Sequence, residues 1–286
     1  MIIWLASYPK SGNTLLRSMI ASYLFSEDGS YNFDLIKKIA QFPRARLFHK
    51  LGFDINNNEE MIINYRKVQE YINSDSSIKF LKTHMQFANY KNKFPFTDLK
   101  NTLGVIYLVR DPRNVVLSFS DFGTGNLEYY TRLITQKISI GGDHSADIDS
   151  PMRTLVITGN WADNYNSWKT FREVNKYLII KYEDFVENRA EVFKKILEFI
   201  YELNKKKFIL NEKKFRNVIR TTEFSYLQNL EKKYGFIEST FHQNVGKNKL
   251  FFNLGSKRNW KNILNKESKM QIEKAFQDEM KELGYL

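Results

Sequence analysis

The chain begins MIIWLASYPKSGNTLLRSMI, in which a short turn joins an apolar run to an amphipathic stretch. Residues 2–8 are predicted to form a buried strand, because a short apolar run that ends at a turn is typical of one. Residues 14–25 are predicted to form a helix with one apolar face. A glycine in such a unit lets backbone N–H groups approach an anion, and the helix N-terminus adds a partial positive charge. The unit therefore predicts either an anion cradle or a plain turn with an N-cap at Asn13 or Thr14.

The lysine of this turn, Lys10, comes before Gly12, whereas an ATPase P-loop has the order Gly-x-x-x-x-Gly-Lys-Ser/Thr. The apolar run at 105–109 leads into Arg110-Asp111-Pro112 and does not present the aspartate with which such enzymes hold magnesium. A P-loop nucleotide kinase or NTPase is therefore disfavoured, and it stays an alternative.

Short apolar runs alternate with helical patterns along the chain. Strands are predicted at 78–84, 102–112 and 176–184, and helices at 59–73, 113–122, 159–171 and 188–203. This alternation predicts an α/β fold of P-loop-like, three-layer type, in which a central parallel sheet is flanked by helices. Ligands of such sheets bind at the carboxyl ends of the strands. Residues 123–158 are interpreted as an excursion, and the remainder as mostly helical with a loop at about 242–258.

Composition limits the classes of protein. The chain has 44 Lys and Arg residues against 32 Asp and Glu residues, a net charge of +12. Such a charge is compatible with an anionic partner such as nucleic acid, but a lysine-rich surface without specific meaning explains most of it, and no nucleic-acid partner is expected. Absence of cysteine excludes disulfides and thiolate catalysis. The first apolar segment follows no basic region and is too short for a membrane span of about 20 residues. With no repeat or linker, these features predict one cytoplasmic domain over residues 1–286.

The stretch LKTHMQF places His84 at the predicted end of a strand, two residues after Lys82. Side chains at i and i+2 of an extended chain point the same way. A neutral imidazole can take a proton from a hydroxyl, and a nearby ammonium disfavours the imidazolium. His84 is therefore a candidate general base, although an ordinary hydrogen-bonded loop histidine is the alternative.

The stretch YLVRDPRNVVLSF places Arg110 at another strand end, with Ser118 about two helical turns further on. An arginine can hold a phosphate through two hydrogen bonds, and a serine hydroxyl can add one more. The alternative is a surface Arg110 paired with Asp111. Trp161 and Trp168, seven residues apart on a predicted helix, are interpreted as core residues.

These segments, in this order, resemble the cytosolic-type sulfotransferase family and its bacterial members. That family moves a sulfuryl group from 3′-phosphoadenosine 5′-phosphosulfate (PAPS) to an acceptor hydroxyl or amine and releases PAP. The resemblance runs from about residue 2 to residue 285. It rests on YPKSGNT, KTH, RDPRNVVLS, GNWADNYNSW, YED and RNWKN, each close to a family pattern.

The resemblance implies a role for each matching residue. Lys10 would stabilise the charge on the bridging oxygen, Lys82 would assist at the reacting centre, and His84 would deprotonate the acceptor. No metal ion is implied. The residues implied to bind the donor are Ser11, Gly12, Asn13 and Thr14 at the 5′-phosphate, Arg110 and Ser118 at the 3′-phosphate, and Tyr182, Thr222 and Phe224 at the adenine.

The sequence departs from the family pattern at two places. Leu15 stands where the family often has a tryptophan that stacks on adenine, so either Phe224 would contribute more or the nucleoside would be held less firmly. The family's Arg-Lys-Gly, whose Arg and Lys hold the 3′-phosphate, falls on residues 253–255, where only Gly255 is kept. Lys257 or Arg258 would replace the missing pair; alternatively, Arg110 and Ser118 would hold the 3′-phosphate alone.

The acceptor is not fixed by the sequence. Aromatic residues in the variable stretches would suit a phenol, a lipid alcohol or a polyketide, and nearby basic residues would suit a carbohydrate with acid groups. The aromatic set is Phe33, Phe42, Phe48, Phe87, Tyr90, Tyr129 and Tyr130, and the basic set is Arg44, Arg46, His49 and Lys50. A homodimer is left open. A second alternative function is a non-catalytic protein that binds PAP or nucleic acid, although no stretch resembles an RNA-binding motif.

Overall fold

Ten strands and fourteen α-helices occur in the described part of the computed structural model, which covers residues 1–236, 238, 240–242, 247–253 and 259–286. The strands are β1 (Ile2–Ser7), β2 (Lys79–Thr83), β3 (Asn89–Tyr90), β4 (Phe94–Pro95), β5 (Thr102–Val109), β6 (Ile138–Ile140), β7 (Val156–Gly159), β8 (Tyr177–Lys181), β9 (Thr240–His242) and β10 (Lys247–Lys249). The helices are α1 (Asn13–Phe25), α2 (Ala45–Lys50), α3 (Asn58–Ile63), α4 (Tyr65–Ile72), α5 (Pro112–Phe122), α6 (Leu127–Thr135), α7 (Trp161–Lys169), α8 (Tyr182–Glu187), α9 (Arg189–Leu203), α10 (Glu212–Thr221), α11 (Phe224–Tyr234), α12 (Trp260–Ile263), α13 (Lys266–Ala275) and α14 (Gln277–Glu282).

The central sheet has four strands in the order β2-β1-β5-β8, and all three pairings are parallel. Ala6 of β1 lies opposite Thr83 of β2 and Tyr107 of β5. Because parallel strands end at one edge, the loops after β1, β2 and β5 leave the sheet together. The predicted parallel α/β sheet is confirmed.

Successive residues of the central strands point to opposite faces of the sheet, as the pleat requires. On one face Trp4 and Tyr107 pack with Trp161 and Trp168 of α7. On the other face Ile3 and Leu5 belong to a second core, and the residues that pack there from α1 and α9 include Leu16, Met19, Phe193 and Leu197. The two inner strands of the sheet, β1 and β5, are buried on both faces, which explains why their sequences are almost continuously apolar. The result is a sheet between two helical layers.

Several boundaries differ from the sequence prediction. The helix predicted at 59–73 is two helices, because the chain turns at Asn64, whose side-chain amide donates to the carbonyl of Glu60 at 2.9 Å. The excursion at 123–158 contains α6 and β6, and β7 closes a small antiparallel pair with β6. The strand predicted at 176–184 ends at Lys181, where α8 begins. Part of the loop predicted at 242–258 forms the hairpin partner β10 of β9.

Across the described ranges, none of the helices combines the length and the apolar character that crossing a membrane requires.

Candidate active site

The turn after β1 has an unusual backbone. Lys10 (φ 67°) and Gly12 (φ 96°) both adopt left-handed conformations. Gly12 is the N-cap of α1, so the cap lies one or two residues before the positions expected, Asn13 or Thr14. A glycine offers no side-chain acceptor to the N–H groups of the first turn, and that turn holds no acidic residue. The buried hydroxyl of Ser11 has no hydrogen-bond partner among the described residues. The turn thus has unused donors, as an anion site requires.

Tyr182, the first residue of α8, lies directly on this turn. A Cβ atom built on Gly12 would lie 2.4 Å from Cδ2 of the Tyr182 ring. The guanidinium carbon of Arg110 lies 4.5 Å from the centre of the same ring. Gly12 is therefore required both by its φ angle and by the close approach of Tyr182.

Arg110 follows β5 and reaches the same turn. Its Nη1 atom donates to the carbonyl oxygen of Lys10 at 3.0 Å. Its buried Nε atom finds no acceptor in the part of the chain that the structure describes. The alternative pairing of Arg110 with Asp111 is not seen: Asp111 instead binds the guanidinium of buried Arg113 at 2.8 Å. Arg110 therefore keeps a donor for a ligand.

The ammonium of Lys10 lies over an aromatic ring. Its Nζ atom is 3.1 Å from the ring centre of Phe122 and 5.6 Å from that of Phe251. Such cation–π contacts favour an ammonium group over the face of an aromatic ring. Phe122 thus helps to position the Lys10 ammonium beside the cradle.

Asn13 and Thr14 use their side chains within the protein. The amide of Asn13 donates to the carbonyl of Leu5 at 2.9 Å and to the hydroxyl of Ser7 at 3.1 Å, which ties the turn to β1. The hydroxyl of Thr14 donates to the carboxylate of Glu238 at 2.7 Å. Their contacts with a 5′-phosphate stay predictions, and for Asn13 the backbone is the available donor.

His84 follows β2 and lies beside the end of β1. Its Nδ1 atom is 2.8 Å from the carbonyl oxygen of Ser7 and 3.2 Å from the hydroxyl of the same residue. Burial lowers the pKa of His84 to about 3, and the Lys82 ammonium adds to this effect. Burial also lowers the pKa of Lys82, although Glu238 acts in the opposite direction. His84 is therefore a neutral imidazole at physiological pH, as the sequence analysis expected of a base.

Helix α7 holds the ends of two central strands in place. Trp161 and Trp168 are fully buried, which confirms their core assignment. Their indole N–H groups also donate to the carbonyls of Arg110 (3.1 Å) and Met85 (2.9 Å). Between them, the amide of buried Asn164 donates to the carbonyl of His84 at 3.1 Å. Sequence analysis missed this role of Asn164, since only the spacing of the two tryptophans had marked the helix.

The remaining predicted donor residues lie in different settings. Ser118 is partly buried on α5, and Phe224 is 40% exposed at the start of α11. Thr222 is fully buried, and its hydroxyl donates to the carbonyl of Val218 at 2.7 Å. Gly255, Lys257 and Arg258 lie outside the described residues. The contacts of all these residues with a nucleotide stay predictions.

Several of the residues proposed to line an acceptor pocket already make contacts within the protein. Phe42 and Phe48 are fully buried and pack on each other with ring centres 6.0 Å apart, so they belong to the core. Arg44 and Arg46 both pair with Asp149. Two aromatic candidates and two basic candidates thus already have partners within the protein.

The described residues contain no group of three or more His, Cys, Asp or Glu side chains arranged to hold a metal ion.

Comparison with known proteins identifies the family. The family model described as a sulfotransferase domain matches residues 2–284. Sulfotransferase 2A6 of Mus musculus is 22% identical over 276 residues, which are 96% of this chain and 82% of the relative. Cytosolic sulfotransferase 5 of Arabidopsis thaliana is 24% identical over 290 residues, which are 99% of this chain and 80% of the relative.

Solved structures share the fold. A mouse sulfotransferase complexed with PAP superposes with a TM-score of 0.58 at 18% identity, covering 98% of this chain and 84% of the other. A retinol dehydratase complexed with androsterone and PAP gives a TM-score of 0.57 at 15% identity, covering 98% of this chain and 80% of the other. The chain belongs to the sulfotransferase domain family.

Proposed function

We propose that the protein transfers a sulfuryl group from PAPS to a hydroxyl or amine of a small-molecule, lipid or carbohydrate acceptor. The observation that carries the proposal is that His84 contacts the last residue of β1 and Arg110 contacts the turn that follows it. His84 bonds to the carbonyl of Ser7, and Arg110 to the carbonyl of Lys10. The candidate base and the candidate phosphate-binding arginine thus flank one anion cradle.

The residues present fit such a donor. Among the described residues, neither the buried hydroxyl of Ser11 nor the Nε atom of Arg110 has a hydrogen-bond partner, and a phosphate would supply one. PAPS supplies the activated sulfuryl group when it is bound. Gly12 and the first turn of α1 would bind the 5′-phosphate. Arg110, with Ser118 on the following helix, would bind the 3′-phosphate, and Lys257 or Arg258 is proposed to assist. Tyr182, Thr222 and Phe224 would contact the adenine.

The chemical roles follow from charge. His84 holds a free Nε2 lone pair and would accept the proton of the acceptor hydroxyl. Lys10 would stabilise the negative charge that grows on the leaving oxygen, and Lys82 would stabilise charge at the reacting centre. We propose that the transfer is in line and needs no metal ion, since two ammonium groups and a helix N-terminus supply positive charge.

The family assignment does not favour the kinase or NTPase alternative, nor a non-catalytic binding protein. We propose a cytoplasmic location by analogy with the relative named a cytosolic sulfotransferase. We also propose that residues 1–286 act as one domain without a nucleic-acid partner; a homodimer stays open.

A thermal-shift series with PAP, ADP and ATP–Mg tests the proposal. A ligand at a hundredfold excess over its Kd stabilises the folded chain by about 2.7 kcal/mol, which is several degrees for a chain of this size. We expect PAP to raise the melting temperature strongly and ADP to raise it little, because only PAP carries the 3′-phosphate. Equal shifts, or a larger shift with ATP–Mg, would contradict the proposed donor.

A further inference from the structure

A carboxylate of the protein itself lies at the anion cradle. Glu238 accepts a hydrogen bond from the hydroxyl of Thr14 at 2.7 Å and another from Nη1 of Arg17 at 2.6 Å. Thr14 is one of the groups expected to bind the donor's 5′-phosphate. One hydroxyl proton cannot be donated to two anions at once, so Glu238 and a phosphate compete for it.

The surroundings of the Arg17 guanidinium suit it to bind an anion. It lies one turn after Thr14 on α1, and its side chain is only 7% exposed. Its Nε and Nη2 atoms donate to the carbonyl of Ile39, and Nη2 also reaches the carbonyl of Ile36. These bonds fix the guanidinium and leave Nη1 directed at the carboxylate. A fixed guanidinium of this kind binds carboxylates and phosphates alike.

Lys82 contributes to the same electrostatic environment. Burial alone would raise the pKa of Glu238, but the charges of Lys82 and Arg17 and the bond from Thr14 hold it at about 2. The carboxylate is therefore charged at physiological pH. Two elements, α1 and β2, thus supply a hydroxyl and two cations that together stabilise one negative charge.

We propose that Thr14 and Arg17 form an anion subsite for the phosphosulfate end of the donor, which Glu238 occupies in the donor's absence. This inference rests on the proposed function. Binding of the donor then displaces Glu238, because two negative charges cannot share the subsite without strong repulsion. Arg17, to which the sequence analysis gave no role, becomes a third cationic contact of the donor's phosphosulfate end beside Lys10 and Lys82.

The test is the affinity of the whole chain for PAP and for inorganic pyrophosphate, measured by calorimetry before and after Glu238→Gln. Glutamine keeps the shape and removes the charge, so we expect both ligands to bind roughly fivefold more tightly or better. Glu267→Gln, on the exposed surface of α13, makes the same charge change away from the cradle and should alter neither affinity. Unchanged or weaker binding of both ligands by Glu238→Gln would overturn the inference.

The pyrophosphate measurement separates this inference from the proposed function. If PAP binds neither the native chain nor Glu238→Gln, while pyrophosphate binds Glu238→Gln more tightly than the native chain, the subsite stands and the PAPS assignment fails. If PAP binds the native chain but Glu238→Gln brings no gain, the donor stands and the competition is refuted.

A second variant tests Arg17 itself. Arg17→Lys in the Glu238→Gln background keeps the charge but loses the forked geometry, and circular dichroism would check that it folds. We expect the gain in pyrophosphate affinity to disappear. A gain of the same size with and without Arg17 would remove this residue from the subsite.

Discussion

The Nδ1 atom of His84 lies 2.8 Å from the carbonyl oxygen of Ser7, at the end of the neighbouring strand. A carbonyl oxygen can only accept a hydrogen bond, so Nδ1 carries the proton. The lone pair of the neutral ring is then on Nε2. Strand pairing between β1 and β2 therefore sets both the position and the tautomer of the proposed base.

Replacing His84 tests its proposed role. We expect His84→Asn to lower kcat by about 10²- to 10⁴-fold, the usual contribution of a general base. The affinity for PAP should stay nearly unchanged, because the proposed donor contacts come from other residues. Release of PAP from PAPS, with a panel of phenols and alcohols as acceptors, measures the rate. A variant with full activity would exclude His84 as the base.

The pH dependence follows from the lowered pKa of His84, about 3. An ordinary histidine titrates near 6.5, so a rate that depends on it falls as the pH drops through 6.5. Here the imidazole stays neutral throughout that range. We expect kcat/KM to show no descending limb between pH 8 and about pH 5 at constant ionic strength. A half-maximal rate near pH 6.5 would contradict the buried neutral form.

The lowered pKa of His84 also affects the stability of the folded chain. The unfolded chain takes up a proton on this histidine near pH 6.5 and the folded chain does not, so His84 favours unfolding as the pH falls below 6.5. Urea titrations of the native chain and of His84→Asn should therefore differ in slope against pH between 6.5 and 5. Parallel slopes would show that His84 is protonated in the folded protein.

Asn164 is predicted to position His84 without touching the substrate. Its amide donates to the carbonyls of His84 and Thr158, and its oxygen accepts from the hydroxyl of Tyr107 at 2.9 Å. We expect Asn164→Ala to lower kcat by about ten- to hundredfold, because small displacements of a reacting group cost that much. The KM for PAPS should change little, since the donor contacts lie elsewhere.

A neighbour on the same helix provides the control. Asn166 lies on α7 and donates to Glu279 at the surface. Asn166→Ala should leave kcat unchanged. Urea unfolding of both variants separates loss of position from loss of fold. If kcat falls only in proportion to the folded fraction, Asn164 has a structural role alone.

The fold could be predicted because its signals are local. The two inner strands, β1 and β5, are apolar runs, and their burial on both faces makes such runs continuous. Helix boundaries were less predictable. The break at Asn64 depends on one side chain bonding to the backbone of its own helix, which the pattern of apolar residues does not show.

From the sequence, candidate site residues can be proposed mainly where they stand at strand ends. The spacing of Lys82 and His84 on one strand marks these two residues as candidates. Glu238 and Asn164 were missed because their contacts join distant parts of the chain, 224 residues apart for Thr14 and Glu238 and 80 for His84 and Asn164. Nothing in the sequence next to Glu238 distinguishes its carboxylate from those of other glutamates. Only folding brings it to the cradle.

Arg110 is predicted to recognise the 3′-phosphate. Arg110→Lys keeps the charge but removes the second donor and the contact with the Tyr182 ring. We expect affinity for PAP to fall by about tenfold or more, while affinity for ADP, which lacks the 3′-phosphate, stays the same. Arg132→Lys on the exposed surface of α6 is the control. An equal loss for PAP and ADP would assign Arg110 to another part of the nucleotide.

Two glycines with similar φ angles make it possible to separate the cost of backbone strain from the cost of steric crowding in the cradle. Gly12 has φ 96° and lies under the Tyr182 ring, whereas Gly52 has φ 80° and open space where a Cβ would stand. Alanine at either position should destabilise the folded chain by about 1–2 kcal/mol, the cost of a left-handed conformation. Gly12→Ala must also displace Tyr182, and with it the ring on which Arg110 packs.

We therefore expect Gly52→Ala to lower the unfolding free energy and leave PAP binding intact. Gly12→Ala should lower the unfolding free energy further and weaken PAP binding by more than tenfold, since the anion cradle and Arg110 both move. Urea titration and calorimetry with PAP measure the two effects on the same samples. Equal PAP affinities for the two variants would mean that the Tyr182 ring leaves Gly12 when the nucleotide binds, so that the crowding exists only in the donor-free protein.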